Sequence, residues 1–168
     1  ATDRQGKVVV FNKVSEEALG YRATDITGKE TPALWHDQGE VARRAGELNI
    51  ELGMVVQPGF EVFAIKPRMR GIESREWTFI RKDGTRFPVN LTVTTLRDAN
   101  GEITGYLGII QDITQRKEAE ETLKTSEETF RSAMEFASIG MAIVRPDGHW
   151  LKVNQALCNL IGYTRREL

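Results

Sequence analysis

The chain has 168 residues, of which 40% are hydrophobic and 28% charged, a balance typical of a soluble globular protein. Its 23 basic and 24 acidic residues give a formal net charge of −1, so charge gives no reason to expect nucleic acid or an anionic membrane as a partner. The single cysteine, Cys158, excludes an internal disulfide and is typical of the cytoplasm. With two histidines it leaves too few ligands for a structural zinc site. No apolar run is long enough to span a bilayer and no signal peptide is evident, so we expect no membrane contact within the chain.

Short elements are predicted in the first part of the chain. Residues 7–11 are a β-branched run that predicts a strand, and 12–19 predict a short helix that ends at a glycine. Turn and capping residues predict short helices within 23–36. Residues 38–52 carry apolar side chains at a roughly helical period. The pattern of residues 59–69 allows a helix or a strand, and we favour a helix.

Three strand signals joined by turns follow. Residues 75–81 alternate between apolar and polar, and Lys82-Asp83-Gly84 is a hairpin turn signal. Residues 86–96 alternate again, and 103–113 form the third signal. A helical region followed by an antiparallel meander predicts an α+β domain.

From Gln115 the composition changes to Gln, Arg, Lys and Glu, which predicts a helical linker over 115–137. Small or apolar residues recur there in steps of four and three residues: Ala119, Leu123, Ser126, Phe130, Ala133 and Ala137. This spacing is typical of a short coiled coil, so we expect a homodimer formed through this helix or through the faces of the domains. The alternative is a solvated amphipathic helix that never pairs.

The start of the chain recurs near its end, at an offset of 142 residues that takes Gly6 to Gly148. The same offset takes Asn12 to Asn154, and Gly20-Tyr21 to Gly162-Tyr163. A period of this size indicates a tandem array of domains rather than a solenoid.

Three stretches together resemble one family. They are Asp3-Arg4-Gln5-Gly6 with Asn12 and Gly20-Tyr21, then Arg81-Lys82-Asp83-Gly84-Thr85-Arg86-Phe87-Pro88-Val89, then Gly108-Ile109-Ile110-Gln111-Asp112-Ile113-Thr114. The chain is similar to PAS domains with their C-terminal PAC motif, of the kind found upstream of bacterial diguanylate cyclases and sensor histidine kinases. The resemblance covers residues 1–117 and, as the beginning of a second domain, 127–168.

The resemblance implies a five-stranded antiparallel sheet with helices on one face. Its strands would lie near residue 1 and at 7–11, 75–81, 86–97 and 103–113. The implied organisation is a PAS domain over 1–114 with a truncated first strand, a helical signalling linker over 115–137, and the N-terminal part of a second PAS domain over 138–168.

The first strand departs from the family pattern, because only Ala1 and Thr2 precede the first turn. The second copy has the apolar run 140–144 in that place. A missing central strand would leave buried backbone groups unpaired, at a cost of about 1–3 kcal/mol each. Two alternatives follow: residues 140–144 of the same or a neighbouring chain fill the gap by strand addition, or Ala1-Thr2 form a short strand.

Alternation and the resemblance together place eight residues on the face of the sheet that lines the pocket: Trp77, Phe79, Phe87, Val89, Leu91, Val93, Gly108 and Ile110. This apolar face is first of all a hydrophobic core, and second a site for a flat or apolar ligand. The cysteine motif of flavin photoreceptors is absent, and Cys158 is expected in the core of the second copy. His36 is the one candidate haem ligand in the first domain, and a helix-end or turn role is favoured for it. The cofactor is left unknown: a small metabolite or no ligand is favoured over flavin or haem.

The sequence Asp112-Ile113-Thr114 marks the junction between sheet and linker. Thr114 can cap the linker helix, and Asp112 can pair with Arg116. The resemblance implies that signals pass through this junction. The chain has no nucleophile–base pair, phosphate-binding loop or metal-binding carboxylate cluster, so we expect no enzyme and no metal.

The predicted function is therefore a cytoplasmic sensory and regulatory module of bacterial signal transduction. It would relay a small-molecule or redox signal through the linker helix to a diguanylate cyclase or histidine kinase domain outside these residues, in a parent protein that could be anchored in a membrane elsewhere. The alternative is a ligand-free dimerisation and spacer scaffold.

Overall fold

A computed structural model describes residues 1–168, which divide into two compact units, Ala1–Gln115 and Arg116–Leu168. In chain order the elements are β1 (Thr2–Asp3), α1 (Lys13–Leu19), α2 (Ala23–Ile26), a 3-10 helix (Pro32–Trp35), α3 (Gln38–Leu52), α4 (Glu61–Arg70), β2 (Ile72–Ile80), β3 (Arg86–Arg97), β4 (Ile103–Asp112), α5 (Thr114–Phe136), β5 (Ala142–Val144), β6 (Trp150–Val153) and α6 (Gln155–Ile161). None of these helices combines the length and the apolar character needed to cross a bilayer.

The sheet of the first unit is antiparallel, with strand order β1-β4-β3-β2. Strand β3 shows why the alternating pattern forms a strand, since its apolar residues are buried and the residues between them are half-exposed. The buried set is Phe87, Val89, Leu91 and Val93. This alternation turns one face of the sheet towards the core and the other towards water.

The five-stranded sheet implied by the resemblance is wrong for this chain, whose main sheet has four strands. Residues 7–11, predicted as a strand, form only an isolated bridge between Thr2 and Val8. The bridge is held by the Asp3 N–H, which donates to the Lys7 carbonyl at 2.8 Å, and by the Val9 N–H, which donates to the Ala1 carbonyl at 2.9 Å. The backbone of Val8 itself pairs with a loop: its N–H donates to the Glu30 carbonyl at 3.0 Å, and its carbonyl accepts the Gly28 N–H at 2.7 Å. Because β1 is only two residues long, residues 7–11 have too short a partner strand to form a longer ladder.

The strand-addition hypothesis for residues 140–144 is also wrong for this chain. Strand β5 pairs with β6 in a separate two-stranded sheet. Strand β1 pairs with β4, with Thr2 opposite Tyr106 and Asp3 opposite Gly105, so the short-strand alternative is the one observed. The physical reason is local: β6 follows β5 closely in sequence, and closing a short loop costs less entropy than pairing with a distant strand.

Local capping residues define the helices. Helix α1 begins after Asn12, whose Oδ1 accepts the Ser15 N–H at 2.9 Å, and it ends at Gly20, where φ is +76°. The segment 59–69, for which a helix was favoured, is helical in α4.

Polar contacts connect helix α3 to strand β2 at the edge of the sheet. The Asp37 N–H donates to the Thr78 carbonyl at 3.0 Å. The Glu40 carboxylate accepts both the N–H and the hydroxyl of Thr78, at 2.7 and 2.8 Å. The Glu40 N–H and the paired Arg86 guanidinium hold the pKa of the Asp37 carboxyl below its usual range. These contacts satisfy the backbone N–H and carbonyl of Thr78 in the edge strand β2. They cover part of a sheet edge that could otherwise pair with another strand.

A network of ion pairs joins α3, α4 and β2. Arg44 is 7% exposed, and it donates to Glu73 at 2.7 Å and to Glu47 at 3.1 Å. Lys66 of α4, also buried, pairs with Glu51 of α3. Buried cations are tolerated only when they are paired, so the network fixes how these three elements meet.

Asn154 organises the second unit. Its Oδ1 accepts the Met141 N–H at 2.8 Å and the Leu157 N–H at 2.9 Å. Its amide nitrogen donates to the Met134 and Ile139 carbonyls, each at 2.9 Å. One buried side chain therefore caps α6 and connects it to β5 and to the end of α5.

The predicted linker segment 115–137 is helical up to Phe136, where α5 ends, so the last seam residue, Ala137, lies outside the helix. Its seam residues Leu123 and Phe130 are 63% and 51% exposed. Pairing along the seam stays a prediction.

Candidate ligand cavity and helix junction

A cavity of about 80 Å³ lies between the sheet and the helices of the first unit. Its walls are mainly aromatic and aliphatic: Ala1, Thr2, Val8, Val10, Phe11, Ser15, Pro32, Trp35, His36, Phe60, Phe63, Phe79, Leu91, Val93, Tyr106, Gly108 and Ile110. No Asp, Glu, Lys or Arg side chain lines it. Such a site suits a small, largely apolar molecule oriented by few polar groups.

The structure brings together five of the eight residues predicted to line a pocket. These five are Phe79, Leu91, Val93, Gly108 and Ile110. Trp77, Phe87 and Val89 are buried in the core but do not line this cavity. Trp77, the main predicted ligand contact, packs instead edge-on against Phe63, with their ring centroids 5.0 Å apart.

His36, weighed from the sequence as a haem ligand and favoured as a helix-end or turn residue, is among the residues that line the cavity. It follows the 3-10 helix, as a helix-end histidine should, yet it is only 1% exposed. Its ring lies 4.2 Å from the ring of Phe63, 4.4 Å from Phe79 and 5.4 Å from Trp77, measured between centroids. The clustered aromatic residues of α4 and β2, rather than any local signal, bury this side chain.

The hydrogen bonding of His36 fixes its tautomer. Its Nδ1 lies 2.6 Å from the Pro32 carbonyl, which can only accept, so Nδ1 carries the proton. Burial lowers the pKa of His36 from 6.5 to about 4, so the ring is neutral near pH 7. The Nε2 lone pair has no hydrogen-bond partner in the chain.

Flavin and haem, the two cofactors weighed from the sequence, do not fit the cavity. Sites for drug-sized ligands enclose roughly 300–1,000 Å³. The cavity of about 80 Å³ falls far below that range.

Arg81 connects the end of α1 with the start of α5. Its Nε donates to the Ala18 carbonyl at 2.9 Å, and its guanidinium carbon lies 3.7 Å from the centre of the Phe87 ring. The same guanidinium reaches the Asp112 carboxylate at 4.0 Å. The Oδ1 of Asp112 accepts the Thr114 N–H, the first of α5, at 2.8 Å.

The structure therefore joins two of the three predicted transmission residues, Asp112 and Thr114. The pairing of Asp112 with Arg116 stays a prediction. Arg81 is the member of this junction that sequence reasoning missed as a site, although it opens the Arg-Lys-Asp-Gly signature.

The model of the PAS domain matches residues 2–115, and a second PAS domain model matches residues 128–168. The chain belongs to the PAS domain family. It is also similar to a solved PAS domain from Colwellia psychrerythraea, with a TM-score of 0.54 and 24% identity over 68% of this chain and 83% of that one. That likeness shows the α+β PAS fold with its antiparallel sheet.

Two curated relatives are similar to parts of this chain. The probable diguanylate cyclase DgcE of Escherichia coli is 50% identical over 46 residues, which are 27% of this chain and 4% of that protein. Two-component system protein A of Emericella nidulans is 29% identical over 150 residues, which are 86% of this chain and 19% of that protein. The chain thus spans a small part of each relative. It is a PAS module similar to parts of proteins that are named as signalling proteins.

Proposed function

We propose that the first PAS domain senses occupancy of its cavity and relays it through the Arg81–Asp112–Thr114 junction to α5. An output domain outside these residues, of the diguanylate cyclase or histidine kinase type, would receive the signal in the cytoplasm. The names of the relatives support this output class, since one is a probable diguanylate cyclase and the other a two-component protein.

One observation carries the proposal: strand β4 belongs to both the cavity and the junction. Gly108 and Ile110 line the cavity, and Asp112 follows two residues later at the end of the same strand. The next residue, Ile113, is buried, and its N–H donates to the Pro88 carbonyl at 3.1 Å. A change in the position of β4 therefore reaches the first turn of α5 without an intervening flexible loop.

Arg81 gives the junction a second input. It holds the Asp112 carboxylate from one side and the Ala18 carbonyl from the other. Ser15, which lies in the same short helix as Ala18, lines the cavity. Movement of β4 or of α1, which both contribute to the cavity wall, thus acts on the contact between the Arg81 guanidinium and the Asp112 carboxylate.

The test joins the whole chain to the front of a diguanylate cyclase domain and measures the rate of product formation. Val93→Ala enlarges the cavity, whereas Val41→Ala removes the same atoms from a buried position outside it. We expect Val93→Ala to change the cyclase rate about fivefold or more, a typical coupling between sites. Adding Asp112→Ala should abolish that difference.

Val41→Ala is the control for a general loss of stability. The proposal is contradicted if the two valine substitutions change the rate equally, or if Asp112→Ala leaves the Val93→Ala effect intact.

A second function, dimerisation and spacing without a ligand, is favoured by α5. Leu123 and Phe130 are seven residues apart on this helix and exposed, which suits a seam with a second copy of the chain. We expect a homodimer at high concentration that Leu123→Glu converts to a monomer, while Thr125→Glu does not. Sedimentation equilibrium measures both, and a monomeric unmodified chain would exclude this function.

A further inference from the structure

Phe60 is a wall residue of the cavity that no regular element holds in place. It lines the cavity and is half-buried. It stands directly before α4, at the end of the irregular segment 53–60, and it follows Gly59, whose φ is +141°. The position of its ring therefore depends on the neighbours that the ring contacts.

The first neighbour of the Phe60 ring is Gly6, in the turn after β1. A Cβ atom added to Gly6 would lie less than 3.0 Å from three atoms of that ring, which folded proteins do not allow. The φ of Gly6, +85°, already favours glycine in this turn. The equivalent Gly148 has a φ of +88°, yet a Cβ added there would meet nothing within 4 Å. Gly6 therefore does more than form the turn, since it leaves room for the Phe60 ring.

The second neighbour is Tyr106 of β4, which also lines the cavity. Its ring meets that of Phe60 nearly edge-on, with the centroids 5.3 Å apart and an angle of 72° between the planes. Tyr106 is 3% exposed, and its hydroxyl accepts the Nε–H of Arg68 at 2.6 Å. Tyr106 is thus held by its own partners, and Phe60 is the ring of this pair that can move.

We infer that Phe60 sets the size of the ligand that the cavity admits, and that Gly6 is the residue that positions the Phe60 ring. With the ring in place, the cavity takes small apolar molecules and excludes six-membered rings. This inference rests on the proposed sensory function and deepens it by naming the class of ligand and the residue that selects it.

The size limit follows from the cavity volume. A cavity of about 150 Å³ holds benzene, which has six heavy atoms. The present cavity of about 80 Å³ is too small for such a ring and suits a molecule of roughly three or four heavy atoms. The Phe60 ring has the six carbon atoms of benzene. Its removal or displacement would therefore open a space in which benzene fits.

Methyl NMR of the whole chain tests this selection with two hydrocarbon probes, propane under pressure and benzene. The reporters are the methyl groups of Leu91 and Val93, which line the cavity. In the unmodified chain we expect propane to shift these signals saturably and benzene to leave them unchanged. Phe60→Ala should bind benzene with a Kd of roughly 1 mM or below.

Gly6→Ala and Gly101→Ala form a matched pair that tests the role of Gly6. Gly101 also lies in a turn, with a φ of +83°, and a Cβ added there would meet nothing within 4 Å. The two substitutions impose the same backbone cost, but only Gly6→Ala displaces the Phe60 ring. We expect Gly6→Ala to bind benzene about tenfold or more tightly than Gly101→Ala, a difference that benzene titration resolves.

Equal benzene binding by the unmodified chain and Phe60→Ala would overturn the selection by Phe60. Equal benzene binding by Gly6→Ala and Gly101→Ala would overturn the positioning role of Gly6, and the Phe60→Ala comparison stands even if Gly6→Ala folds poorly. Neither result touches the sensory proposal, which fails separately if Val93→Ala and Val41→Ala act alike on the cyclase fusion.

Discussion

The guanidinium of Arg81 lies 4.0 Å from the carboxylate of Asp112, so the turn between β2 and β3 is tied to the last residue of β4, just before helix α5. Both residues also bond to helical backbone, Arg81 to the end of α1 and Asp112 to the start of α5. This pair is the point at which the proposed signal leaves the sheet.

Arg81→Met should lower the free energy of unfolding of the first domain by about 1–2 kcal/mol. The loss comes mainly from the hydrogen bond to the Ala18 carbonyl and the packing on Phe87, because a half-exposed ion pair 4.0 Å long contributes little. Arg97→Met, which removes a surface contact with the Gly101 carbonyl, should change it by less than about 0.5 kcal/mol. Urea unfolding measures both, and equal losses would contradict the assigned role of Arg81.

Glu73→Ala should destabilise the protein more than Arg44→Met. Removing Glu73 deprives the buried Arg44 guanidinium of its 2.7 Å partner, at a cost of about 1.5–3 kcal/mol. Arg44→Met instead replaces a buried cation by an apolar chain of similar length and leaves partly exposed carboxylates, which is often nearly neutral. The reverse order in urea unfolding would show that the guanidinium is solvated.

Acid should destabilise the first domain through His36. Because its pKa falls from 6.5 to about 4 on folding, the unfolded chain binds a proton first as the pH drops. The free energy of unfolding is unaffected by this protonation above pH 6.5. It falls progressively as the pH drops towards 4, by about 3 kcal/mol in total.

The measurement is the free energy of unfolding of the unmodified chain and of His36→Gln between pH 7 and 5. His36→Gln should flatten the dependence in this range, whereas the exposed His149→Gln should not. An unchanged slope in His36→Gln would contradict the buried, neutral state of His36.

Asn154→Ala should cost the second unit about 2–4 kcal/mol, because it removes four hydrogen bonds of a fully buried side chain. The equivalent Asn12→Ala should cost the first unit about 1 kcal/mol, since Asn12 is exposed and acts as a helix cap. Native-state hydrogen exchange reports the two units separately. Similar losses at both positions would contradict the central role assigned to Asn154.

The elements with a strong local signal could be predicted from the sequence. Alternation predicts β2 and β3, and the third strand signal after the turn predicts β4. The offset of 142 residues pairs Asn12 with Asn154, each of which caps a helix. The same offset pairs Gly20 with Gly162, and both end their helices with positive φ. Capping and strand formation depend on neighbours in sequence, so one chain is enough to reveal them.

The remaining features depend on partners distant in sequence. The strand predicted at residues 7–11 is reduced to one bridge because its partner β1 is only two residues long, and Val8 also bonds to the loop residues Gly28 and Glu30. In α3 the charged residue Arg44 is buried among Val41, Ala45 and Leu48 because it pairs with Glu73 of β2, which no local pattern indicates. The burial of His36 likewise depends on rings from α4 and β2.

Amide hydrogen exchange at Thr114 and Gln115 tests the central claim, coupling of the cavity to α5, most directly. Val93→Ala and Val41→Ala should each lower the global free energy of unfolding by about 1–3 kcal/mol. The exchange rates of the two variants are therefore compared after correction for their measured loss of global stability. We predict that Val93→Ala alone accelerates exchange at these two amides, and that the effect disappears in an Asp112→Ala background. Identical exchange in the two valine variants would contradict the account and leave the cavity as part of the core.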